Sequence, residues 1–444
     1  NHLAVLERRT GHWRFAHSLV AESLKKHSAK SKRLSALHSA AAQMLQNKEE
    51  VPHARLGRHL FAAGRLEDAA YHLLMGAKQA HASVRHNKAW TLITKREECL
   101  LRLGIPLTDK SWVDNWLEKG RIRKSQSRSS AARKFFYKVL DFAADGEQGN
   151  THRAWAYRYL GELSRIEGNN DRGMFLHKKA LEYAPINSTV HARTLASLGY
   201  LNSSRGHLEE GQELLEQAEK VAIGTEDQEV ILEVRLLISA LYQLTGKRDE
   251  AKTILLHIRA VFRKEGRRYL LARCANDLGE IARHSGNIEE AEEYYKEALE
   301  SFDSVGSETA WIPRANLGIL LAEQGRCIEA REHLERVQRR MKRLGQTGLL
   351  GTMHVILVLV ATHEKNWTAW DTHFDEGVRL LASAGLIDRD VAREAQLAGV
   401  LCIAAGENTR ALRALNLALD HYERMDRSED AAIVNDLLSE IPQT

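Results

Sequence analysis

Only five prolines occur in the 444 residues: Pro52, Pro106, Pro185, Pro313 and Pro442. An interior proline removes a helix hydrogen bond and clashes with the preceding turn, so this scarcity leaves room for long helices. Cysteine is scarcer still. Cys99, Cys274, Cys327 and Cys402 are scattered and form no CxxC pair. That pattern excludes a disulfide framework and predicts reduced, partly buried thiols in a cytosolic protein. No charged N-terminal stretch runs into an apolar one, so no secretory signal is read. The most apolar run, Val355 to Ala361, has seven residues and is too short to span a bilayer. The chain begins at Asn1 rather than at a methionine, which fits a segment of a longer protein.

Ala, Leu, Glu and Arg dominate, all strong helix formers, and the chain reads as almost wholly α. Gly168, Gly206, Gly246, Gly286, Gly325 and Gly406 recur at steps of 38, 40, 40, 39 and 81 residues. The last step is two periods, with a degenerate copy centred on Lys365. A period of about 40 in a helical sequence predicts stacked helical hairpins, each burying its apolar face against its neighbours. A core that grows lengthwise also suits this length better than one compact core. The expected fold class is therefore all-α, a right-handed superhelical solenoid.

The best copy runs from Arg273 to Leu299. Leu278 and Gly279 lie in a first helix, Gly286 makes the turn, and Ala291, Tyr295 and Ala298 lie on a second. Gly279 and Ala291 are small, so the two helices approach closely. Gly286 supplies a positive φ that ends the first helix. Tyr295 is expected to fill space towards the next hairpin, and Asn287 to cap the second helix ahead of Glu289 and Glu290. The pattern resembles the tetratricopeptide repeat (TPR). Matching copies carry Gly57, Gly64 and Ala69; Gly161, Gly173 and Ala180; Gly199, Gly206 and Gly211; Ser239, Gly246 and Ala251; Gly318, Gly325 and Ala330; and Gly399, Gly406 and Ala411. The copy at 352–380 departs most. Lys365 replaces the turn glycine and Trp370 the small residue, which predicts a splayed or turned hairpin. Residues 81–150 hold no clean copy.

Near the N-terminus, Phe15-Ala16-His17-Ser18-Leu19-Val20 resembles the histidine motif that closes the winged-helix domain of bacterial STAND-type signalling ATPases. The resemblance implies that His17 contacts the β-phosphate of bound ADP, provided that an ATPase domain lies upstream. A ring N–H is chemically suited to a phosphate oxygen. This chain has no P-loop, GxxxxGK followed by Ser or Thr, so no ATPase activity is expected within it. The organisation expected is residues 1–50 as a helical segment resembling the end of the winged-helix domain. Degenerate helical repeats with a basic cluster follow at 51–150. The TPR-like array occupies 151–425, and a capping helix and tail 426–444.

Lys and Arg number 27 against 14 Asp and Glu in residues 1–150, and 37 against 45 in the remainder. The sharpest basic cluster is Lys119, Arg121, Arg123, Lys124, Arg128, Arg133, Lys134 and Lys138, with Glu118 at its edge. It reads either as a solvated surface or as a face for nucleic acid. No aromatic is interleaved through Arg121–Ser130, and Phe135, Phe136 and Tyr137 follow at core-like spacing, which weakens base stacking. The 21 histidines form no HExxH pair and no zinc spacing with cysteine. His81 and His86 are five apart, on different faces of any one helix. No catalytic residue, metal or cofactor is expected.

In tetratricopeptide arrays the first helices line the concave face. The resemblance therefore implies a partner-binding groove formed by Arg158, Tyr159, Glu162 and Arg165; Arg193 and Tyr200; Gln243; Arg273, Asn276, Asp277, Glu280, Arg283 and His284; and Asn316 and Glu323. Arg165 and Arg283 are read as exposed anchors, and Arg339 and Arg340 as outer-face residues. The expected function is a cytoplasmic sensor and scaffold region that binds a protein, peptide or small inducer. The alternatives are a free-standing adaptor, or nucleic-acid binding through residues 119–138.

Overall fold

The computed structural model describes residues 4–7, 12–15, 19, 22–23, 26–27, 33–126, 128–167, 169–305 and 307–441. His17 and Gly168 lie outside the described residues. The chain divides into two compact units at Gly246. The first holds β1 (Ala4–Glu7), β2 (His12–Phe15), α1 (Leu34–Gln46), α2 (His53–Ala62), α3 (Leu66–Ala82), α4 (His86–Arg102), α5 (Lys110–Ser125), α6 (Ser129–Phe142), α7 (Glu147–Ile166), α8 (Asn170–Tyr183), α9 (Thr189–Ser204), α10 (Leu208–Gly224) and α11 (Gln228–Leu244). The second holds α12 (Arg248–Lys264), α13 (Arg268–His284), α14 (Ile288–Ser304), α15 (Trp311–Glu323), α16 (Cys327–Leu344), α17 (Thr347–His363), α18 (Trp367–Ala384), α19 (Arg389–Ala404), α20 (Asn408–Arg424) and α21 (Ser428–Ser439). The fold is an all-α, TPR-like repeat solenoid of 21 described helices stacked pairwise.

The two strands were not expected in residues 1–50. They pair antiparallel, with Ala4 opposite Phe15 and Glu7 opposite His12. Four residues are too few to show a period of two against the helical pattern around them.

The hairpins share one packing device. A glycine on the first helix faces a large side chain sixteen residues later on the second: Gly57 with Leu73, Gly120 with Phe136, Gly161 with His177, Gly199 with Leu215, Gly279 with Tyr295, Gly318 with Leu334 and Gly399 with Leu415. A Cβ on Gly279 would lie 2.6 Å from Tyr295 Cε1. Tyr295 thus fills a hole in its own hairpin. The Gly120–Phe136 pair shows that α5 and α6 form a repeat hairpin inside the stretch that showed no clean copy. Asn287 occupies the N-cap position of α14, but its side chain makes no capping hydrogen bond.

The hairpin at 352–380 is closed rather than splayed. Lys365 itself takes the turn conformation, at φ +53°. That costs about 1–2 kcal/mol for a residue with a Cβ. The offsetting gain is the burial of α17, where Met353 and every residue from Val355 to Ala361 are buried. Burying each large aliphatic side chain is worth about 1.5–3 kcal/mol. The close approach has moved along the helices, to Gly351 and Gly377: a Cβ on Gly351 would lie 3.0 Å from Leu381 N. Trp370 is buried instead, stacked on Phe374 at 4.8 Å.

Candidate functional site

In the first unit, α7 presents Trp155, Arg158, Tyr159 and Glu162 on one side, at helical spacings of three and four. Tyr159 is buried and sandwiched, 5.2 Å from the Phe136 ring and 5.5 Å from Trp155. Cations surround the stack. Lys124 lies 5.0 Å from the Tyr159 centroid, and Arg193 lies 5.6 Å from that of Trp155. Each cation also has a carboxylate. Arg158 pairs with Glu162 at 2.6 Å, Lys124 reaches the same group, and Arg193 Nε donates to Glu233 at 2.6 Å. Burial pushes the Glu162 pKa up, but Arg158 and Lys124 override it and hold the carboxyl well below its usual range. Arg165 is exposed and sits over Tyr200 at 5.9 Å. Of the first-unit groove residues, Arg165 is thus the one exposed to solvent, over a half-buried Tyr200, while Arg158, Tyr159, Glu162 and Arg193 form a closed network. Trp155, Lys124 and Glu233 complete it and were not expected in it.

Four of the eight cations in the basic cluster at 119–138 are matched by carboxylates of the same unit. Lys119 pairs with Glu97, Lys124 with Glu162, Arg121 with Glu118 at 2.9 Å and Arg133 with Glu167 at 2.6 Å. Arg123 covers the Trp90 ring at 3.4 Å. Arg128, Lys134 and Lys138 are exposed, so the cluster is part ion-pair network and part solvated surface. Most of the carboxylates stand 22 to 38 residues away in sequence, so no local reading of charge could find them.

In the second unit, α13, α15 and α19 gather around Arg283, the C-terminal end of α13. Arg283 is 3% exposed, not the exposed anchor expected. Its Nη1 donates to Glu323 at 2.8 Å and its Nη2 to Asp390 at 2.6 Å. Glu394 stands 3.8 Å from Nη1 and is fully buried, with no hydrogen-bond donor at either carboxyl oxygen. Burial and the adjacent Glu323 carboxylate push the Glu394 carboxyl well above its usual range. Arg393 reaches Glu323 at 3.4 Å and donates to His284 Nδ1 at 3.2 Å. Burial, then Arg283, lowers the His284 pKa to about 3, so the ring is neutral and accepts that bond. Asp390 and Glu394 were not expected here. Their positions are set by α19, whose N-cap Asp388 accepts from the Asp390 and Val391 amides.

Beside this hub lies an amide–carboxylate set. Asn316 Nδ2 donates to Asn276 Oδ1 at 3.0 Å and to Glu280 Oε1 at 2.9 Å, and Asn276 Nδ2 donates to Glu280 at 3.2 Å. Asn276 Nδ2 also approaches Asp277 Oδ1 at 3.4 Å. Asn276 and Asn316 are exactly one period apart, on successive first helices of the unit. Glu280 is half-buried, and its pKa rises to about 7, first from burial and then from the Asp277 and Asp390 charges. Of the expected outer-face pair, Arg339 is 64% exposed in its side chain and Arg340 is half-buried.

His81 and His86 lie on α3 and α4 and meet across the turn with ring centroids 5.6 Å apart. Among the described residues, no group of three or more His, Cys, Asp or Glu side chains is placed to hold a metal. No described helix is long and apolar enough to cross a membrane.

Models of the tetratricopeptide repeat match residues 230–304 and 314–344. No curated protein sequence matches the chain significantly. Among solved structures, a Rap protein complexed with Competence and Sporulation Factor superposes with a TM-score of 0.56 at 16% identity, covering 84% of this chain and 97% of its own. The STAND protein with a tetratricopeptide repeat sensor from Pyrococcus horikoshii gives 0.49 at 14% identity, covering 79% of this chain and 55% of its own. The apo quorum sensor NprR from B. thuringiensis gives 0.46 at 14%, covering 84% and 99%. The residues matched by the repeat models lie in successive helical hairpins of the all-α, TPR-like repeat solenoid.

Proposed function

We propose that this chain is the sensor and scaffold region of a STAND-like signalling ATPase, and that its first-helix faces hold a protein or peptide segment or a small inducer. The observation that supports the binding role is the Asn276–Asn316–Glu280 set. Two primary amides and a half-buried carboxylate are held in register by neighbouring repeats. The two amides, themselves buried, orient the half-buried Glu280 carboxylate, and an oriented acceptor gives a polar ligand its direction. The Rap protein of similar fold was solved with Competence and Sporulation Factor bound, an example of an occupied fold of this kind. The exposed Arg165 over the half-buried Tyr200 supplies a second contact pair in the first unit.

The signalling part of the reading rests on the motif around His17 and its place ahead of a repeat array. In this reading residues 1–50 end a winged-helix domain, 51–150 are degenerate repeats, 151–425 form the array and 426–444 close it. An upstream ATPase would hold the nucleotide, and a ligand on the array would release the switch. The test is nucleotide hydrolysis by the full-length protein, with and without a peptide selected on this chain. Hydrolysis that rises on peptide addition supports the sensor. A full-length protein that binds the peptide but no nucleotide is an adaptor, and the signalling reading fails.

A further inference from the structure

The first three helices of the first unit are joined by a histidine pair at each of their two interfaces. His38 on α1 meets His59 on α2, Nδ1 to Nδ1 at 2.9 Å, and His53 on α2 meets His72 on α3 in the same way at 2.8 Å. His53 and His59 stand six residues apart on α2 and so face different sides of it, one towards each neighbour. All four rings are half-buried. Two ring nitrogens at this distance share one hydrogen: one carries it and the other offers a lone pair. A second proton would set two cations at hydrogen-bond distance, where like charges repel. Little around the pairs offsets that. α1 brings no charged residue besides His38. Arg55 and Arg58 of α2 face His59 and oppose its protonation. Asp68 of α3 faces His72 and favours it, but its carboxylate is already held by Arg65 at 2.6 Å. Tyr71 flanks His53 with ring centroids 6.2 Å apart. Facing α2 from α4 are Lys95 and Arg102, over the Phe61 ring at 3.9 and 5.0 Å.

We propose that these two pairs make the packing of α1 to α3 an acid-sensitive switch: the helices hold together while each pair shares a single hydrogen, and part when a second proton enters. Burial first, and the partner ring second, lower the pKa of His59 and of His72. The folded helices therefore bind fewer protons than the unfolded chain below pH about 6.5, the ordinary histidine value. The stabilisation is full above that pH and is lost as pH falls through the lowered folded values. Parting uncovers Leu45 of α1, Leu56 and Leu60 of α2 and Leu73 of α3, all of them buried. The next interface carries the same device in weaker form. His81 of α3 and His86 of α4 have ring centroids 5.6 Å apart, and burial, then His81, lowers the His86 pKa to about 4. There Glu118 and Ser125 of α5 hold His81 at 2.8 and 2.9 Å, so a carboxylate serves this contact and it should open last.

The experiment is hydrogen exchange on the intact chain, read helix by helix and corrected for the intrinsic rate, at pH values of about 7.5 and about 5, which bracket the ordinary histidine value. Protection in α1 to α3 should fall about tenfold or more at the lower pH, the weight of one pKa unit. α10 and α11 carry no histidine and set the reference within the same unit. A chain carrying both His59→Gln and His72→Gln keeps amides that donate and accept but cannot take a charge. Its loss in α1 to α3 should shrink to that of the reference helices. The comparison between helices uses the unaltered chain, so it stands even where the variant folds poorly. Equal losses in α1 to α3 and in α10 and α11 overturn the proposal, and so does an undiminished loss in the folded variant.

Discussion

Arg283 Nη2 donates to Asp390 Oδ1 at 2.6 Å across 107 residues of sequence, tying the end of α13 to the start of α19 within the second unit. Removing the guanidinium would leave the enclosed Glu323 to Arg393 alone and take from the half-buried Asp390 its ion-pair partner. Breaking a buried pair from one side typically costs about 3–5 kcal/mol. Arg283→Gln should therefore lower the unfolding free energy of the second unit, read from its denaturant midpoint, by that order. Arg165→Glu, on an exposed site, should shift it by no more than about 0.5 kcal/mol. Equal midpoints for the two variants would show that the hub contributes nothing to stability.

Gly120 should be as intolerant as Gly279. Each lies under a ring on the second helix of its hairpin, Phe136 or Tyr295. Replacing either with leucine forces the helices apart, an overpacking that costs about 1–3 kcal/mol. Hydrogen exchange should speed up in the altered hairpin and its neighbours, because coupling in a repeat array is between nearest neighbours. Unchanged exchange in α5 and α6 for Gly120→Leu would remove that pair from the repeat register.

His354 and His373 meet across the α17–α18 hairpin, Nδ1 to Nδ1 at 3.1 Å. The Gln338 amide lies 2.9 Å from His354 Nε2 as its donor, so His354 Nδ1 carries the proton and donates to His373. Burial first, and His354 second, lower the His373 pKa to about 4. The folded state thus binds fewer protons than the unfolded chain between pH about 6.5 and about 4. The stabilisation is full above pH about 6.5 and is lost as pH falls through that window to about 4. Midpoints measured across it should slope less steeply for His373→Gln than for the unaltered chain.

Glu280 titrates in the opposite sense. Its folded pKa, about 7, is raised above the unfolded value, so its contribution is full below the ordinary carboxyl range and is lost as pH rises through about 7. Glu280→Gln should therefore stabilise the second unit at pH about 8, by about 1–3 kcal/mol, and change little at pH about 4. Thermal melts of both proteins at the two pH values decide it. A variant less stable than the parent at the higher pH would mean that the charged carboxylate is already well served.

Titration calorimetry of this chain with ATP and ADP should show no micromolar binding, because the sequence supplies no P-loop to cradle the phosphates. Micromolar heat would require a phosphate site of another kind and would count against placing the ATPase upstream.

By itself the sequence determined the repeat. Glycines near every fortieth residue, few prolines and helix-forming composition dictate hairpins that stack, because backbone conformation and helix period are local properties. It also marked Gly279, Gly199 and Gly399 as packing positions, and Asn276, Glu280 and Asn316 as candidates for one face. Only the tertiary structure decided which charges meet. Lys119 finds Glu97, Lys124 finds Glu162, and Arg283 finds Asp390, over separations of 22, 38 and 107 residues. Electrostatic pairing depends on distance in space, and a solenoid brings distant turns together by amounts that no single repeat encodes. The same reason hid the hairpin of Gly120 and Phe136 behind a run of basic residues. Their charge spoke for an open surface until carboxylates from other helices were in place beside it.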